Sequence, residues 1–389
     1  MPDFKLDWER GRLVVARALS AFKNGEYPYQ GRFLPQDLIP PTIREDPLRT
    51  AQLLFYSCHY MRGTIKSHYA VRAVTTLCLH RDDLFDPARA RLASHEDLTR
   101  ELGSVLPYKL GEIPRSWIEN STRVHEHWDG DPRNIFAEVR NSLDLYRYVA
   151  NDETTPGVAR GSHPRERGFL GFQKKMASML TYFFEDFGLI REVEWPPSPP
   201  VDFHLLRLLV SNGVIAVTSN DREYARYEEL QGFGIEFLEA FIADTGERMR
   251  DVADALWMLS NRLCAEAPTN QTVEGKRIEV DWESDAARQQ YAVTCGACPL
   301  RASCLYAVQA SSYYHEGKFE LGRPRTTPRD AASALWSSMP LVYKPTQAFF
   351  VPVERRYREE HQLLFPELPK EKPQTRDQRR RARLARLGR

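Results

Sequence analysis

The chain has 389 residues, 42% hydrophobic and 28% charged, which excludes a fibrous or disordered polymer and leaves room for more than one packed unit. Its net charge is +1, yet the arginine-rich tail alone carries +6, so the body is left at −5 and no global basic field draws it to nucleic acid. No apolar run approaches the roughly 18 residues of a membrane span, and the charged start MPDFKLDWERGRLVV lacks signal-peptide character, so a cytoplasmic protein without membrane contact is expected.

Apolar residues recur at helical spacing in LRTAQLLFYSCHYM, KSHYAVRAVTTLCL, KKMASMLTYFFEDF, DFHLLRLLVSNGV, GIEFLEAFIADTG and MRDVADALWMLSNRLC, and alternating strand patterns are scarce. The expected fold is all-α, with two helical lobes flanking a cleft. Breaks fall at LPQDLIPPT, NDETTPGVARGSHPRERG and WPPSPP, the last a stiff extended lead-in that delivers Asp202 to a helix start. The expected organisation is N-terminal helices over 1–49 packing on a later lobe, a helical lobe over 50–200, and a second lobe over 201–310. A C-terminal extension over 311–366 and a basic tail over 367–389 follow. The stretch STRVHEHWDGD holds His125, His127, Asp129 and Asp131, which could mimic a metal site but reads as a helix end and turn.

Six cysteines without a secretory signal argue against a disulfide framework. Cys58 and Cys78 read as buried thiols. Cys295, Cys298 and Cys304 stand as C-x2-C-x5-C, a spacing that lets neighbouring sulfurs converge on one inorganic centre, and Cys264 supplies a fourth thiolate from the end of ALWMLSNRLC. Zinc also accepts four thiolates, but structural zinc sites more often show two close pairs, so one remote and three clustered ligands favour a [4Fe–4S] cluster.

The segment CGACPLRASC resembles the iron–sulfur loop of endonuclease III and the adenine glycosylases, where a W-x-L-x-x-x-G-R helix leads to the first cysteine; Trp257, Leu259, Arg262 and Cys264 echo that helix. The insertion between Cys264 and Cys295 is longer than the family's spacer. A second stretch, GFLGFQKKMASML followed by PPVDFHLLRLLVSNGVI, resembles the hairpin L-P-G-V-G-x-K-T-A and the V-D-x-H-x-x-R helix start of the helix-hairpin-helix DNA glycosylases. An aspartate one turn before an apolar helix is most often a cap, and a lysine pair most often a solvated face. The chain order of hairpin, aspartate and cysteine loop is what gives the pair its functional reading.

The resemblance implies a glycosylase that excises a damaged or modified base, with Asp202 as the essential carboxylate and Lys175 as the amine of the bifunctional, strand-cleaving members. A fixed carboxylate stabilises the positive charge that develops on the sugar, and a nearby amine can attack C1′ and form a Schiff base. Gly171, Gln173, Lys174 and Arg207 are the residues implied to meet DNA, although Leu170 and Gln173 stand where the hairpin has proline and its second glycine. The early helix implies Ser57, His59 and Tyr60 as contacts to an extruded base; Pro107, Tyr108 and Lys109 fall where a wedge into the base stack would lie.

The expected protein is thus a monomeric DNA glycosylase with a [4Fe–4S] cluster, held to DNA in part by its arginine tail. Two alternatives stay open: a nucleosidase similar to the queuosine-salvage proteins, acting on a free modified nucleoside or nucleotide, and a catalytically silent cluster-bearing nucleic-acid-binding module.

Overall fold

Helix starts in this chain are set by short polar side chains. Asp7, Asp46, Ser94, Asn141 and Asp202 each precede a helix and accept a backbone N–H of its first turn, an arrangement that contributes about 0.5–2 kcal/mol per cap. Proline at the first helical position, as at Pro47 and Pro87, adds a preset φ without losing a needed donor.

The computed structural model describes residues 4–31, 34–61, 67–151, 163–217, 224–264, 266–267, 272–273, 276–277, 285–304, 307–309, 318–320 and 338–340. Among these the protein is mainly helical, as expected. Its N-terminal strand β1 (Phe4–Leu6) leads into α1 (Trp8–Lys23), followed by α2 (Pro41–Arg44), α3 (Pro47–Ser57), α4 (Ser67–His80) and α5 (Pro87–Ala90). Next come α6 (His95–Val105), α7 (Ile113–His127), α8 (Ser142–Val149), α9 (Lys174–Asp186) and α10 (Phe203–Ser211). Strands β2 (Ile215–Val217) and β3 (Tyr224–Arg226) precede α11 (Tyr227–Thr245) and α12 (Met249–Leu259). Helix α13 (Asp285–Tyr291) lies beyond the short strands β4 (Thr272–Val273) and β5 (Lys276–Arg277), and β6 (Ala307–Gln309), β7 (Lys318–Glu320) and β8 (Ser338–Pro340) end the described chain.

The strands only tie segments together. β1 pairs antiparallel with β2, Lys5 opposite Ala216, which fastens the N-terminus just beyond α10. Helix α1 buries Val14, Val15, Ala18 and Leu19 at helical spacing and packs on α12. Arg10 reaches further, donating to the carbonyl of Ser303 at 2.8 Å. The buried apolar side chains form one contiguous cluster running from Phe4 to Leu300, so the core continues from one expected lobe into the other. No described helix is long and apolar enough to cross a membrane. The tail 367–389 lies outside the described residues, as does most of 311–366.

Candidate active site

The hairpin before α9 is a tight backbone structure. Gly168 and Gly171 both take positive φ, +61° and +78°, which a Cβ disfavours. Between them the chain bonds back to the end of α8, with Phe169 N–H donating to the Val149 carbonyl at 3.0 Å and Asn151 N–H to the Phe172 carbonyl at 2.8 Å. Phe169 and Phe172 are fully buried against Phe55 of α3, with ring centroids 4.9 and 5.4 Å away. Asn120 of α7 clamps the turn from the side: its Oδ1 accepts from Leu170 N–H at 2.7 Å and its Nδ2 donates to the Leu170 carbonyl at 3.1 Å. Nothing in the sequence pattern singles out Asn120, because its partner lies 50 residues away.

This arrangement corrects the expected role of His59. Its Nδ1 lies 3.1 Å from the Tyr56 carbonyl and its Nε2 lies 3.0 Å from Asn120 Nδ2, so the neutral ring donates at one nitrogen and accepts at the other. The imidazole is fully buried among Tyr56, Trp117 and Phe172 and braces the hairpin clamp. Ser57 is also buried, its hydroxyl donating to the Leu53 carbonyl at 2.8 Å. Tyr60 lies 1% exposed beside Tyr108, and its buried hydroxyl has no hydrogen-bond partner among the described residues. None of the three lines the pocket described below. Tyr108 is itself buried, so it is not a projecting wedge.

The two catalytic candidates meet. Asp202 Oδ1 caps α10 by accepting from His204 N–H at 2.8 Å and Leu205 N–H at 3.2 Å, while its Oδ2 lies 3.9 Å from Lys175 Nζ. That lysine, on the first turn of α9, also donates to the Met61 carbonyl at 3.0 Å. Burial pushes the Lys175 ammonium below its ordinary range, against the pull of Asp202. Burial likewise raises the Asp202 carboxyl, opposed by Lys175 and by the two backbone N–H groups. Lys174 faces elsewhere, over the ring of Tyr146 at 5.6 Å. The register that puts Lys175 beside Asp202 therefore sends its neighbour away from it.

Arg207 is not placed to meet a phosphate. It is 1% exposed, donating to Ser260 Oγ at 3.1 Å and lying over the Phe203 ring at 5.2 Å. Gly171 remains partly exposed at the hairpin and Gln173 is exposed, with its backbone extended.

A small pocket of about 50 Å3 opens beside Asp202. Its lining includes Gln36 from the turn Pro35–Leu38, Met61, Ser67 at the start of α4, Met179, Tyr182 and Phe183 from α9, Pro200, Asp202 and Leu205 at the head of α10, and Asp254 and Trp257 from α12. Gln36 and Asp254 escaped sequence analysis. The available signal was a second carboxylate on the apolar face of DVADALWML, where Asp251 already pairs with Arg248.

Helix α12 continues as a π-helical turn, Ser260–Cys264, and α13 as another, Ala292–Gly296; the two turns pack together. They carry Cys264 and Cys295, while Cys298 and Cys304 follow in a turn where Cys298 N–H donates to the Cys295 carbonyl at 3.3 Å and Cys304 N–H to the Leu300 carbonyl at 3.0 Å. Burial raises the Cys298 thiol well above its ordinary range, and Cys264, Cys304 and Cys295 all raise it further, so the four sulfurs share one electrostatic neighbourhood. No described group of three or more His, Cys, Asp or Glu side chains is already closed to metal-holding distances. Cys58 and Cys78 are fully buried elsewhere, and burial pushes the Cys78 thiol up to about 11. At the end of α7, Asp131 caps the next turn and pairs with Arg133 at 2.6 Å.

No protein-family model and no curated protein matches the chain.

Proposed function

We propose that the chain is an N-glycosylase of the helix-hairpin-helix kind that removes a modified base from DNA. The observation that carries this reading is the 3.9 Å approach of Lys175 Nζ to Asp202 Oδ2 at the rim of a pocket. The Lys175 lone pair attacks C1′ as the glycosidic bond breaks and its electron pair leaves with the base. Asp202 stabilises the sugar's positive charge and receives the amine proton, and ring opening gives the Schiff base from which a strand can be eliminated. Burial lowers the Lys175 ammonium from its ordinary range, which eases the loss of the proton that this step requires.

Cys264, Cys295, Cys298 and Cys304 fit a [4Fe–4S] cluster by donor type and shared neighbourhood. When bound, the cluster would act as a covalent brace between the end of α12 and the segment 295–304, and none of its four cysteines lines the pocket beside Asp202. The exposed Gln173 and the partly exposed Gly171 and Lys174 form the hairpin edge offered to a duplex backbone.

A second reading, a nucleosidase acting on a free modified nucleoside, is favoured by Gln173, whose side chain stands where a duplex-gripping hairpin has glycine. A lesion panel of duplex oligonucleotides run beside free modified nucleosides separates the two: release only from free nucleosides overturns the DNA reading.

A further inference from the structure

Both ends of Lys175 are tied to one short turn. The 3-10 turn Cys58–Tyr60 closes with Met61 N–H donating to the Cys58 carbonyl at 3.2 Å, and the Met61 carbonyl accepts from Lys175 Nζ at 3.0 Å. From the same turn, His59 reaches the hairpin that carries the lysine. Its ring lies edge to face with that of Phe172, centroids 4.9 Å apart, just before α9 begins, and its Nε2 lies 3.0 Å from Asn120 Nδ2.

Chemistry fixes the bond directions in this link. Leu170 N–H can only donate, so the Asn120 atom 2.7 Å from it is the amide oxygen. The amide nitrogen then faces the Leu170 carbonyl at 3.1 Å and His59 Nε2 at 3.0 Å, and gives one N–H to each. His59 Nε2 must accept, and its Nδ1–H donates to the Tyr56 carbonyl at 3.1 Å. His59 and Asn120 are both fully buried, so losing the acceptor would leave an amide N–H with no water to turn to.

We infer that His59 is a positioning residue for Lys175: as the Nδ1–H tautomer it joins, through Asn120, the hairpin that sets the lysine's backbone to the turn whose Met61 carbonyl holds the lysine's amine. The bonds close a ring, from Lys175 Nζ to Met61, back along the turn to His59, across Asn120 to Leu170, and along the hairpin to Lys175. Within this ring the backbone and the amine of Lys175 cannot move independently, which preserves the 3.9 Å approach of Nζ to Asp202. Correct placement of a reacting group is itself a large part of catalysis. The inference rests on the glycosylase reading only for what the amine attacks; the holding of the amine stands apart from bond cleavage.

The test reads the amine without turnover: the full chain is treated with formaldehyde and cyanoborohydride, and methylation of Lys175 and Lys174 is followed by peptide mass spectrometry beside thiol labelling of Cys78. His59→Phe keeps a ring but offers no acceptor, so the amine should leave the Met61 carbonyl more often and its methylation should quicken about tenfold, the weight of one unsatisfied buried N–H. Lys174, over Tyr146, and Cys78, buried within α4, should keep the parent's rates. His59→Gln restores an acceptor and should fall nearer the parent. Unchanged Lys175 methylation in His59→Phe, a parallel rise at Cys78, or a His59→Gln rate no closer to the parent overturns the inference. Asn120→Ser cuts the same link from the other side, with the same rise expected, and decides should His59→Phe fail to fold. Where neither folds, nitrogen-15 NMR of the unaltered chain decides: a coupling across the Asn120 N–H···N His59 bond is expected, and a protonated His59 Nε2 overturns the inference. If the methylation pattern holds but no form of the protein releases a base, the glycosylase falls and the positioning of the amine stands; base release with methylation indifferent to His59 does the reverse.

Discussion

Lys175 Nζ lies 3.9 Å from Asp202 Oδ2, while the other carboxylate oxygen of Asp202 is held by two backbone N–H groups at the start of α10. One side chain thus has a capping oxygen and an oxygen facing Lys175, and on the proposed mechanism the two duties can be separated by substitution. Asparagine caps helices about as well as aspartate, so Asp202→Asn should melt close to the parent while base release falls at least about a hundredfold. Asp202→Ala removes both duties and should also lose about 0.5–2 kcal/mol of stability. Thermal melts beside single-turnover assays check this, and full activity of Asp202→Asn on a substrate that the parent cleaves would mean that Asp202 is not the catalytic carboxylate.

Lysine trapping gives a second test. Lys175→Gln should abolish a borohydride-trappable adduct, whereas Lys174→Gln should retain it, because Lys174 lies over Tyr146 and away from the carboxylate. The pH dependence follows from burial. The neutral amine attacks, and desolvation holds the Lys175 group below its ordinary 10.5, so trapping should rise with pH along a limb that lies below that value. The pair titrates together, and the limb belongs to the dyad. A trapping profile unchanged in Lys175→Gln would reassign the nucleophile.

The helix starts that position this dyad were legible because caps and hydrophobic periodicity are local signals: Asp202 before FHLLRLLV and the turn into KKMASMLTYFF each show in a few residues. The pocket was not legible in the same way. Gln36 comes from an N-terminal turn that meets α9 across 146 residues, and Asp254 sits in a helix whose other positions read as core. His59 shows the converse, a residue chemically suited to reading a base that tertiary packing uses as a brace for Asn120. Arg207 was drawn toward DNA by its motif, yet its place under Ser260 depends on a helix more than 50 residues on.

The cysteine assignment predicts a brown protein with iron and acid-labile sulfide near one four-iron cluster. Cys298→Ser should bleach it and lower the melting temperature, since ligand-binding energy is partly folding energy. Cys78→Ser should leave the colour intact, because that thiol is buried within α4, apart from the other four. Zinc without iron in anaerobically prepared protein would contradict the cluster.

Deleting residues 374–389, which lie outside the described residues, removes seven arginines and should weaken DNA binding and flatten its salt dependence. Affinity measured across a salt series gives the slope, and an unaltered slope would show that the tail makes no phosphate contacts.

The last test concerns what holds Lys175 in register. Gly168 has φ +61° and ψ −170°, a conformation essentially restricted to glycine, and a Cβ there would collide with the backbone carbonyl of Ala150. Ala150 cannot easily yield, because the strand-like contact between Ala150 and Phe169 joins the end of α8 to the hairpin. Gly168→Ala should therefore cost about 3 kcal/mol or more, the sum of backbone strain and a displaced hairpin. Gly188 offers a control with φ +62° and nothing within 4 Å of its added Cβ, so Gly188→Ala bears the conformational term alone, about 1–2 kcal/mol. Denaturant melts measure both, and trapping assays on the folded fraction of Gly168→Ala read the position of Lys175. Equal stability losses in the two variants would mean that the Ala150 contact does not hold the hairpin, and undiminished trapping in Gly168→Ala would mean that the dyad keeps its geometry without it.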